Sequence, residues 1–384
     1  MSSSPTLSCH NFSSGRCGSC PRLALPEEDR FSAKFSSLKA TIHERFGPNV
    51  EVLPPYIPEQ IFPSRTKAKM SVTGSLVAPC IGILDENLQG RELLDCPLHL
   101  PVMNEALKLV RDWIPELRLV PYDIETRRGE LKGLVLRASA DAGSLIIRFV
   151  LRSTESVPRL KKGAPLLMTA LPQICTLTAN IQPVPHAIVE GREEIVIAGS
   201  GVLWERYGEI ELAFTPQSFS QVTPQTALAL YTYVADATAE QKPKLLLDLY
   251  CGVGGFSLFA GRHAEKVIGV ELAESAVDCA RLAAERNGRS GYEFVAAPVD
   301  SFLADKSFTP DAVICNPPRR GLRAEVTSQL ERLGPARILY SSCNPDTLFE
   351  DIALLPSYRP RRFKPFEMFP LTEHVELVCD LVRR

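Results

Sequence analysis

The sequence predicts an α/β protein whose C-terminal part contains a parallel sheet covered by helices on both faces. From about residue 216 onward, buried apolar runs alternate with helical stretches, which is the βαβα order of parallel sheets. The first half instead contains short β-type runs between turns, so we expect it to be β-rich. The boundary between the two parts is predicted near residues 214–217.

The alternation can be followed element by element. In the C-terminal part, strands are predicted at 244–249, 267–271, 311–315 and 337–341, and helices at 255–263 and 275–286. The second of these helices is followed by an Asn-Gly pair, a common helix stop. In the first half we predict strands at 133–137, 144–151 and 195–197, and a helix at 102–113.

Composition excludes several classes of protein. The 384 residues carry 43 Lys and Arg against 45 Asp and Glu, so bulk charge cannot hold the chain on nucleic acid. No run approaches the roughly 18 apolar residues of a membrane span, and the start lacks the features of a secretory signal. We therefore expect a cytoplasmic protein with no membrane partner. The eleven cysteines are not expected to form a disulfide framework in that compartment.

A glycine-rich turn follows the first C-terminal strand. Residues 248–256 read Asp-Leu-Tyr-Cys-Gly-Val-Gly-Gly-Phe, and Glu271 ends the next strand, 17 residues after Gly254. Glycine lets the backbone approach a ligand, and a carboxylate at that strand end can accept both ribose hydroxyls of an adenosine. Spacing alone leaves NAD and S-adenosylmethionine open. The Gly-x-Gly-x-x-Gly fingerprint is absent, which favours a cofactor without a diphosphate.

Two further loops follow predicted strands, so they should share the carboxyl edge of the sheet, where ligands bind. Asn-Pro-Pro-Arg-Arg-Gly begins at Asn316, whose amide can contact a nucleobase or a cofactor amino group. Tyr-Ser-Ser-Cys-Asn-Pro places Cys343 at a turn, where a thiolate can act as nucleophile. Cys315 also ends a strand and is the competing candidate. The remaining cysteines of this part are explained as buried apolar residues.

The last strand is preceded by Glu373, His374 and Glu376. In period-two alternation His374 and Glu376 share one face, and a carboxylate near the thiol can serve as general base. A thiol, a base and a sulfonium methyl donor suit methylation of carbon 5 of a pyrimidine. That carbon is a poor nucleophile until a thiolate adds to carbon 6.

These motifs resemble those of the RNA uracil-5-methyltransferases, in the same order and over essentially the whole chain. The resemblance implies a Rossmann-like class I methyltransferase domain, S-adenosylmethionine as methyl donor, Cys343 as nucleophile and Glu376 as base. It implies that four residues contact the cofactor, namely Gln221, Tyr250, Glu271 and Asn316.

Three positions depart from the usual family pattern. Tyr250 stands where many members have Phe, and both offer an aromatic face. Asn316 stands where many have Asp, and since an amide is no base, Asn316 should bind rather than catalyse. Thr223 stands two positions after Gln221 where Asn is common, so the resemblance leaves the contact at this position unassigned.

The N-terminal cysteines form a second candidate site. Cys9, Cys17 and Cys20 have the spacing C-x7-C-x2-C, and Cys96 lies further along in Asp-Cys-Pro. Four thiolates suit zinc or a [4Fe–4S] cluster, and their chemistry does not choose between the two. The family resemblance implies the [4Fe–4S] cluster, with Cys96 rather than Cys80 as the fourth ligand.

Contact with RNA must be local because the net charge is close to zero. Residues 118–162 carry ten basic and five acidic side chains, and 359–364 and 65–69 add four and three basic ones. Such patches can hold phosphates. We predict three domains: an iron–sulfur segment at 1–100, a β-rich RNA-binding domain at 101–215 and an S-adenosylmethionine-dependent catalytic domain at 216–384.

The expected substrate is 23S ribosomal RNA. This sequence has the cluster cysteines but no RNA-binding barrel before them, and in this it resembles the family members that act on 23S ribosomal RNA. No barrel is expected here since Cys9 lies so early, and we expect a monomer. Three alternatives stay open. They are the same reaction on tRNA or another ribosomal uridine, a metal-bearing RNA-binding protein without activity, and an NAD oxidoreductase.

Overall fold

The computed structural model describes residues 7–184, 190–304 and 308–384. The chain divides into two compact units. The first contains the residues up to Cys20, Gln60–Glu205 and Phe214–Pro216, and the second contains Pro21–Glu59, Arg206–Ala213 and Gln217–Arg384. Residues 21–59 thus group with the C-terminal part of the chain. The division into three domains stays a prediction.

Within the described residues, the second unit is built on an eight-stranded sheet. In sheet order its strands are Glu51–Val52, Tyr358–Phe366, Glu376–Arg383, Arg337–Ser342, Ala312–Cys315, Leu245–Leu249, Lys266–Glu271 and Tyr292–Ala296. Leu245–Leu249 pairs in parallel with Lys266–Glu271 on one side and with Ala312–Cys315 on the other. The chain therefore leaves this central strand in both directions, and such a switch point is where open parallel sheets bind ligands.

The last strand breaks the parallel pattern. Glu376–Arg383 runs antiparallel to Arg337–Ser342, with Leu377 opposite Ser342. The first residue of an antiparallel strand lies at the sheet edge where its parallel neighbours end. The register therefore brings Glu376 to the end of the strand that leads into Cys343.

Helices accompany this sheet and share its core. The described α-helices of the second unit are Asp29–Phe46, Pro224–Ala239, Gly255–Ala260, Glu274–Arg286, Val299–Ala304, Ala324–Leu333 and Pro345–Ala353, with 3₁₀ turns at Pro21–Ala24 and Gly261–His263. One apolar core contains the fully buried strand residues Leu247, Val313 and Tyr340. Ile42 of the helix Asp29–Phe46 belongs to the same core. The helix near the N-terminus is therefore part of the second unit.

The first unit contains a seven-stranded mixed sheet, counted over the described residues. In sheet order its strands are Gly90–Glu92, Pro79–Leu84, Lys67–Gly74, Leu131–Ala138, Leu145–Leu151, Ile174–Ile181 and Glu193–Gly199. The helices Pro101–Glu116 and Val157–Ala170 pack Leu107 and Leu160 into a core with Ile147 of the sheet. A short helix, His10–Ser13, lies between the N-terminal cysteines.

Most predicted elements are present with shifted ends. The helix predicted at 102–113 spans Pro101–Glu116, whereas the one predicted at 255–263 stops at Ala260 and continues as a 3₁₀ turn. The helix Asp29–Phe46 was not predicted from the sequence. In the part of the chain described, no helix combines the length and apolar character that crossing a bilayer requires.

Candidate active site

The glycine-rich turn lies at the switch point, directly after Leu245–Leu249. Tyr250 has a φ of 61°, a left-handed conformation that is rare for an aromatic residue. Gly252 has a φ of 53°, and a Cβ there would meet open space, so a ligand can approach its backbone. The Glu271 carboxylate accepts hydrogen bonds from the N–H groups of Gly252 (3.3 Å) and Ala273 (2.9 Å). These bonds hold Glu271 beside the turn.

The other two predicted cofactor residues are Asn316 and Gln221. The N–H of Asn316 donates to the carbonyl of Leu249 at 3.3 Å, which joins the Asn-Pro-Pro loop to the glycine-rich turn. Gln221 is buried in the segment before the helix Pro224–Ala239. Thr223, where the family pattern differs, donates its hydroxyl to the carbonyl of Met368 at 2.9 Å. That threonine therefore has a structural partner.

Cys343 lines a cavity of about 500 Å³ in the second unit. Lys34, Ser37 and Thr41 of the helix Asp29–Phe46 form one wall of this cavity, and Arg319 lies on another part of its lining. The thiol is half-buried. Burial raises its pKa above the ordinary value and the negative charge of Glu376 raises the pKa further, whereas the hydrogen bond and charge of Arg319 lower it. Glu376 and Arg319 therefore act on the thiol in opposite directions.

Arg319 is a candidate that sequence reasoning did not single out. Its carbonyl accepts hydrogen bonds from Asn344 Nδ2 (3.0 Å) and Thr347 Oγ1 (3.3 Å). These bonds join the Asn-Pro-Pro-Arg loop to the segment that follows Cys343. The signal was present in the sequence, because two prolines hold the preceding backbone extended and an arginine follows them at the ligand-binding edge.

Glu376 is 2% exposed at the start of the last strand. Its carboxylate accepts a hydrogen bond from Ser341 Oγ. Removal from water raises the pKa of Glu376 to about 7, and the bond from Ser341 opposes this rise. A carboxyl group with this pKa can take up a proton near neutral pH, which suits a general base.

The prediction that His374 shares a face with Glu376 is wrong. The strand begins at Glu376, so His374 lies in the preceding loop and the two-residue alternation does not reach it. His374 is exposed whereas Glu376 is buried. Glu376 is therefore removed from water, whereas His374 lines the Cys343 cavity from the preceding loop.

The competing cysteine is less suited to react. Cys315 is fully buried in its strand, and burial raises the pKa of its thiol well above the ordinary range. A neutral thiol without access to substrate is a poor nucleophile. The other cysteines of this unit, Cys251, Cys279 and Cys379, are buried as expected.

The four predicted metal ligands, Cys9, Cys17, Cys20 and Cys96, line one cavity of about 240 Å³ in the first unit. Burial raises the pKa of Cys20 to about 11, and the charges of the other three cysteines contribute to the rise, whereas Arg65 lowers it. Even so, no group of three or more His, Cys, Asp or Glu side chains in the described ranges is arranged to hold a metal ion. The cysteines thus converge without forming a coordination shell.

Many side chains of the basic patches pair with acids. Ion pairs engage Arg137, Arg148, Arg152 and Arg159 in the patch at 118–162, and Arg361 and Arg362 in the patch at 359–364. Arg137 and Arg148 are also buried, at 2% and 1% exposure. Counting charges along the sequence therefore overstates the positive charge that these segments offer to RNA.

Comparisons with known proteins agree with this arrangement of residues. Residues 206–384 match the family model described as tRNA (Uracil-5-)-methyltransferase. The chain is 38% identical over 377 residues to the 23S rRNA (uracil(747)-C(5))-methyltransferase RlmC of Pectobacterium atrosepticum, covering 98% of this chain and 100% of that protein. The chain belongs to the RNA uracil-5-methyltransferase family.

Other members of the family are similar over the same length. The RlmC proteins of Vibrio cholerae and Escherichia coli are 38% and 37% identical over 378 residues, again covering 98% of this chain and 100% of each protein. The solved tRNA (uracil-54, C5)-methyltransferase of Pyrococcus abyssi, in complex with S-adenosyl-L-homocysteine, aligns with a TM-score of 0.76 and 26% identity. The alignment covers 92% of this chain and 83% of that one. The expected class I methyltransferase fold is confirmed.

In this family member we expect the reactivity of Cys343 to respond oppositely to its two charged neighbours. Arg319→Met removes a contact that lowers the thiol pKa, so alkylation by iodoacetamide at mildly alkaline pH should slow. Glu376→Gln removes a charge that raises the pKa, so alkylation should accelerate. Each unit of pKa changes the thiolate fraction about tenfold. Mass spectrometry of the Cys343 peptide measures the rates, with Arg320→Met as the matched control. Equal rates in all four proteins would contradict these contacts.

Proposed function

We propose that this enzyme transfers the methyl group of S-adenosylmethionine to carbon 5 of uridine 747 in 23S ribosomal RNA. The observation that carries the proposal is the placement of Cys343 and Glu376 at one sheet edge, close enough for their charges to interact. The choice of RNA follows from the full-length relatives named for this substrate. Since that substrate is ribosomal, we place the enzyme in the cytoplasm.

We assign the cofactor to the switch point of the sheet. When bound, S-adenosylmethionine supplies a methyl group made electrophilic by its sulfonium. The open backbone at Gly252 and the fixed carboxylate of Glu271 fit an adenosine with two ribose hydroxyls. Tyr250 contributes an aromatic face and Asn316 an amide, and Gln221 completes the proposed set.

In the proposed mechanism, the thiolate of Cys343 adds to carbon 6 of the uracil, and the electron pair of the double bond moves toward carbon 5. Carbon 5 forms a bond to the methyl group while the methyl–sulfonium bond breaks, which leaves a neutral thioether. Glu376 then takes the proton from carbon 5. The freed pair restores the double bond as the Cys343–carbon 6 bond breaks and its pair returns to sulfur. Arg319 stabilises the thiolate before addition and after release.

We also propose that Cys9, Cys17, Cys20 and Cys96 hold a [4Fe–4S] cluster. Four thiols around one cavity are the donor set that such a cluster uses. Cys96 is anchored, because its carbonyl accepts hydrogen bonds from Asn104 Nδ2 at 3.0 Å and from the N–H of His99 at 3.1 Å. The methyl transfer moves no electron to or from a metal, so the proposed role of the cluster is structural.

The reaction and the substrate are tested together. Purified enzyme with S-adenosylmethionine should form 5-methyluridine at position 747 of unmodified 23S rRNA, mapped by nuclease digestion and mass spectrometry. Cys343→Ala should abolish the product, because no other described thiol lines that cavity. Methylation of tRNA alone would keep the mechanism and overturn the substrate. Product from Cys343→Ala would overturn the mechanism.

The pH dependence of kcat should reflect the deprotonation of Glu376. Glu376 acts only when deprotonated, so kcat should rise with pH through about 7, and the raised pKa of the Cys343 thiol should extend the rise to alkaline pH. Glu376→Gln should still add to uracil and transfer the methyl group, and then stall as a covalent protein–RNA complex visible on a denaturing gel. Glu350→Gln, at an exposed position, should behave as wild type. A pH-independent kcat would contradict the role of Glu376.

The cluster proposal predicts how metal content responds to single cysteines. Anaerobically purified protein should contain iron and acid-labile sulfide, and Cys96→Ser should lose most of both. Cys80→Ser is the matched control and should keep them, since Cys80 does not line the cavity of the other four. Zinc in place of iron, or equal loss in both variants, would contradict the proposal.

A further inference from the structure

One buried lysine joins the two ends of the loop that precedes Glu376. This loop, residues 367–375, connects the last two strands and is called the base loop. Lys34 Nζ donates hydrogen bonds to Glu367 Oε1 (2.7 Å) and to the carbonyls of Thr372 (3.0 Å) and His374 (2.9 Å). An ammonium group has three N–H donors, so the loop engages all of them.

Lys34 and Glu367 form an ion pair removed from water. Their side chains are 5% and 0% exposed, and Nζ lies 2.6 Å from Glu367 Oε2. Burying two charges costs free energy, so such a pair is weak evidence for a purely stabilising role. Two of the three bonds from Lys34 go to loop carbonyls rather than to its counter-ion. The lysine therefore constrains the path of the backbone as well as neutralising a charge.

Other contacts hold the middle and start of the base loop. The N–H of Arg22 donates to the carbonyl of Leu371 at 3.2 Å, and its guanidinium donates to Glu373 Oε2 at 2.7 Å. Thr226 Oγ1 donates to the carbonyl of Glu367 at 3.0 Å. Among these contacts, those of Lys34 involve both Glu367 at the start of the loop and His374 near its end.

We propose that Lys34 is a positioning residue for the general base, a role that rests on the proposed function of Glu376. By tying the two ends of the base loop together, its ammonium group holds the Glu376 carboxylate where it takes the proton from carbon 5. Although Lys34 lines the Cys343 cavity, the base loop engages its three donors, so its role in the proposal is to hold the loop and not to contact the proton or the methyl group. Its loss should therefore impair one step of the reaction and spare the steps before it.

The test separates methyl transfer from proton removal. In RNA with 5-fluorouridine at the target position, the base cannot remove fluorine as a cation, so the reaction stops as a covalent complex after methyl transfer. The rate of forming this complex reports Cys343 and the methyl donor but not Glu376. Turnover of uridine RNA reports the whole sequence of steps.

The variants are chosen to avoid an unpaired buried charge. The double variant Lys34→Met with Glu367→Gln removes both charges, and Lys34→Arg keeps a donor group. Lys39→Met, at an exposed lysine of the same helix, is the matched control. We expect the double variant to turn over uridine RNA roughly 10- to 100-fold more slowly, the size of effect that a small misplacement of a catalytic group produces. Its KM for RNA and its rate of complex formation with 5-fluorouridine RNA should match wild type.

The remaining outcomes are distinguishable. Lys34→Arg should recover part of the turnover, and Lys39→Met should lose none. A parallel fall in turnover and in 5-fluorouridine complex formation, or a change in KM alone, would overturn the positioning role. If thermal unfolding shows that the double variant does not fold, the double variant Lys34→Gln with Glu367→Gln, which also leaves no unpaired charge, is judged by the same criteria. A wild-type protein that forms no complex with either RNA would instead overturn the proposed function.

Discussion

The antiparallel pairing of the last strand with Arg337–Ser342 is the constraint on which the site depends. Parallel strands carry their functional loops at their carboxyl ends, which accounts for Tyr250, Asn316 and Cys343 at one edge. A carboxylate can also reach the same edge from a strand that starts there, as proposed for the base Glu376. The register of Leu377 against Ser342 supplies it, and a shift of one residue would turn Glu376 to the other face of the sheet.

Burying the Glu376 carboxylate has an electrostatic cost, and this cost raises its pKa toward neutral pH. Burial disfavours the charged form of Glu376, and the bond from Ser341 offsets only part of this effect. The result is a group that exchanges its proton near neutral pH. The neighbouring thiol depends on the same balance, since Glu376 opposes its ionisation and Arg319 favours it. The ionisation of the proposed nucleophile therefore depends on the charge of the proposed base.

Local sequence signals were sufficient for much of this arrangement. Buried apolar runs identify the strands, and turn residues identify the loops that carry Tyr250, Asn316 and Cys343. The signals fail where partners are distant or where a pattern is extended too far. Nothing local shows that the helix Asp29–Phe46 packs with the last strands, because its partners are more than 300 residues away. The alternation linking His374 to Glu376 stops where the strand starts. The buried arginines of the patch at 118–162 pair with acids outside that patch, Arg137 with Glu205 and Arg148 with Glu194.

The split of the second unit between the two ends of the chain has a consequence for its biosynthesis. Lys34 and Glu367 are separated by 333 positions. At about 5–20 residues per second, roughly 15–70 s pass between the synthesis of one partner and the other. The sheet of the first unit, from Lys67 to Gly199, is fully translated within that interval. During this interval Lys34 in the helix Asp29–Phe46 has no Glu367 to pair with. The second unit can therefore assemble only when translation is almost finished.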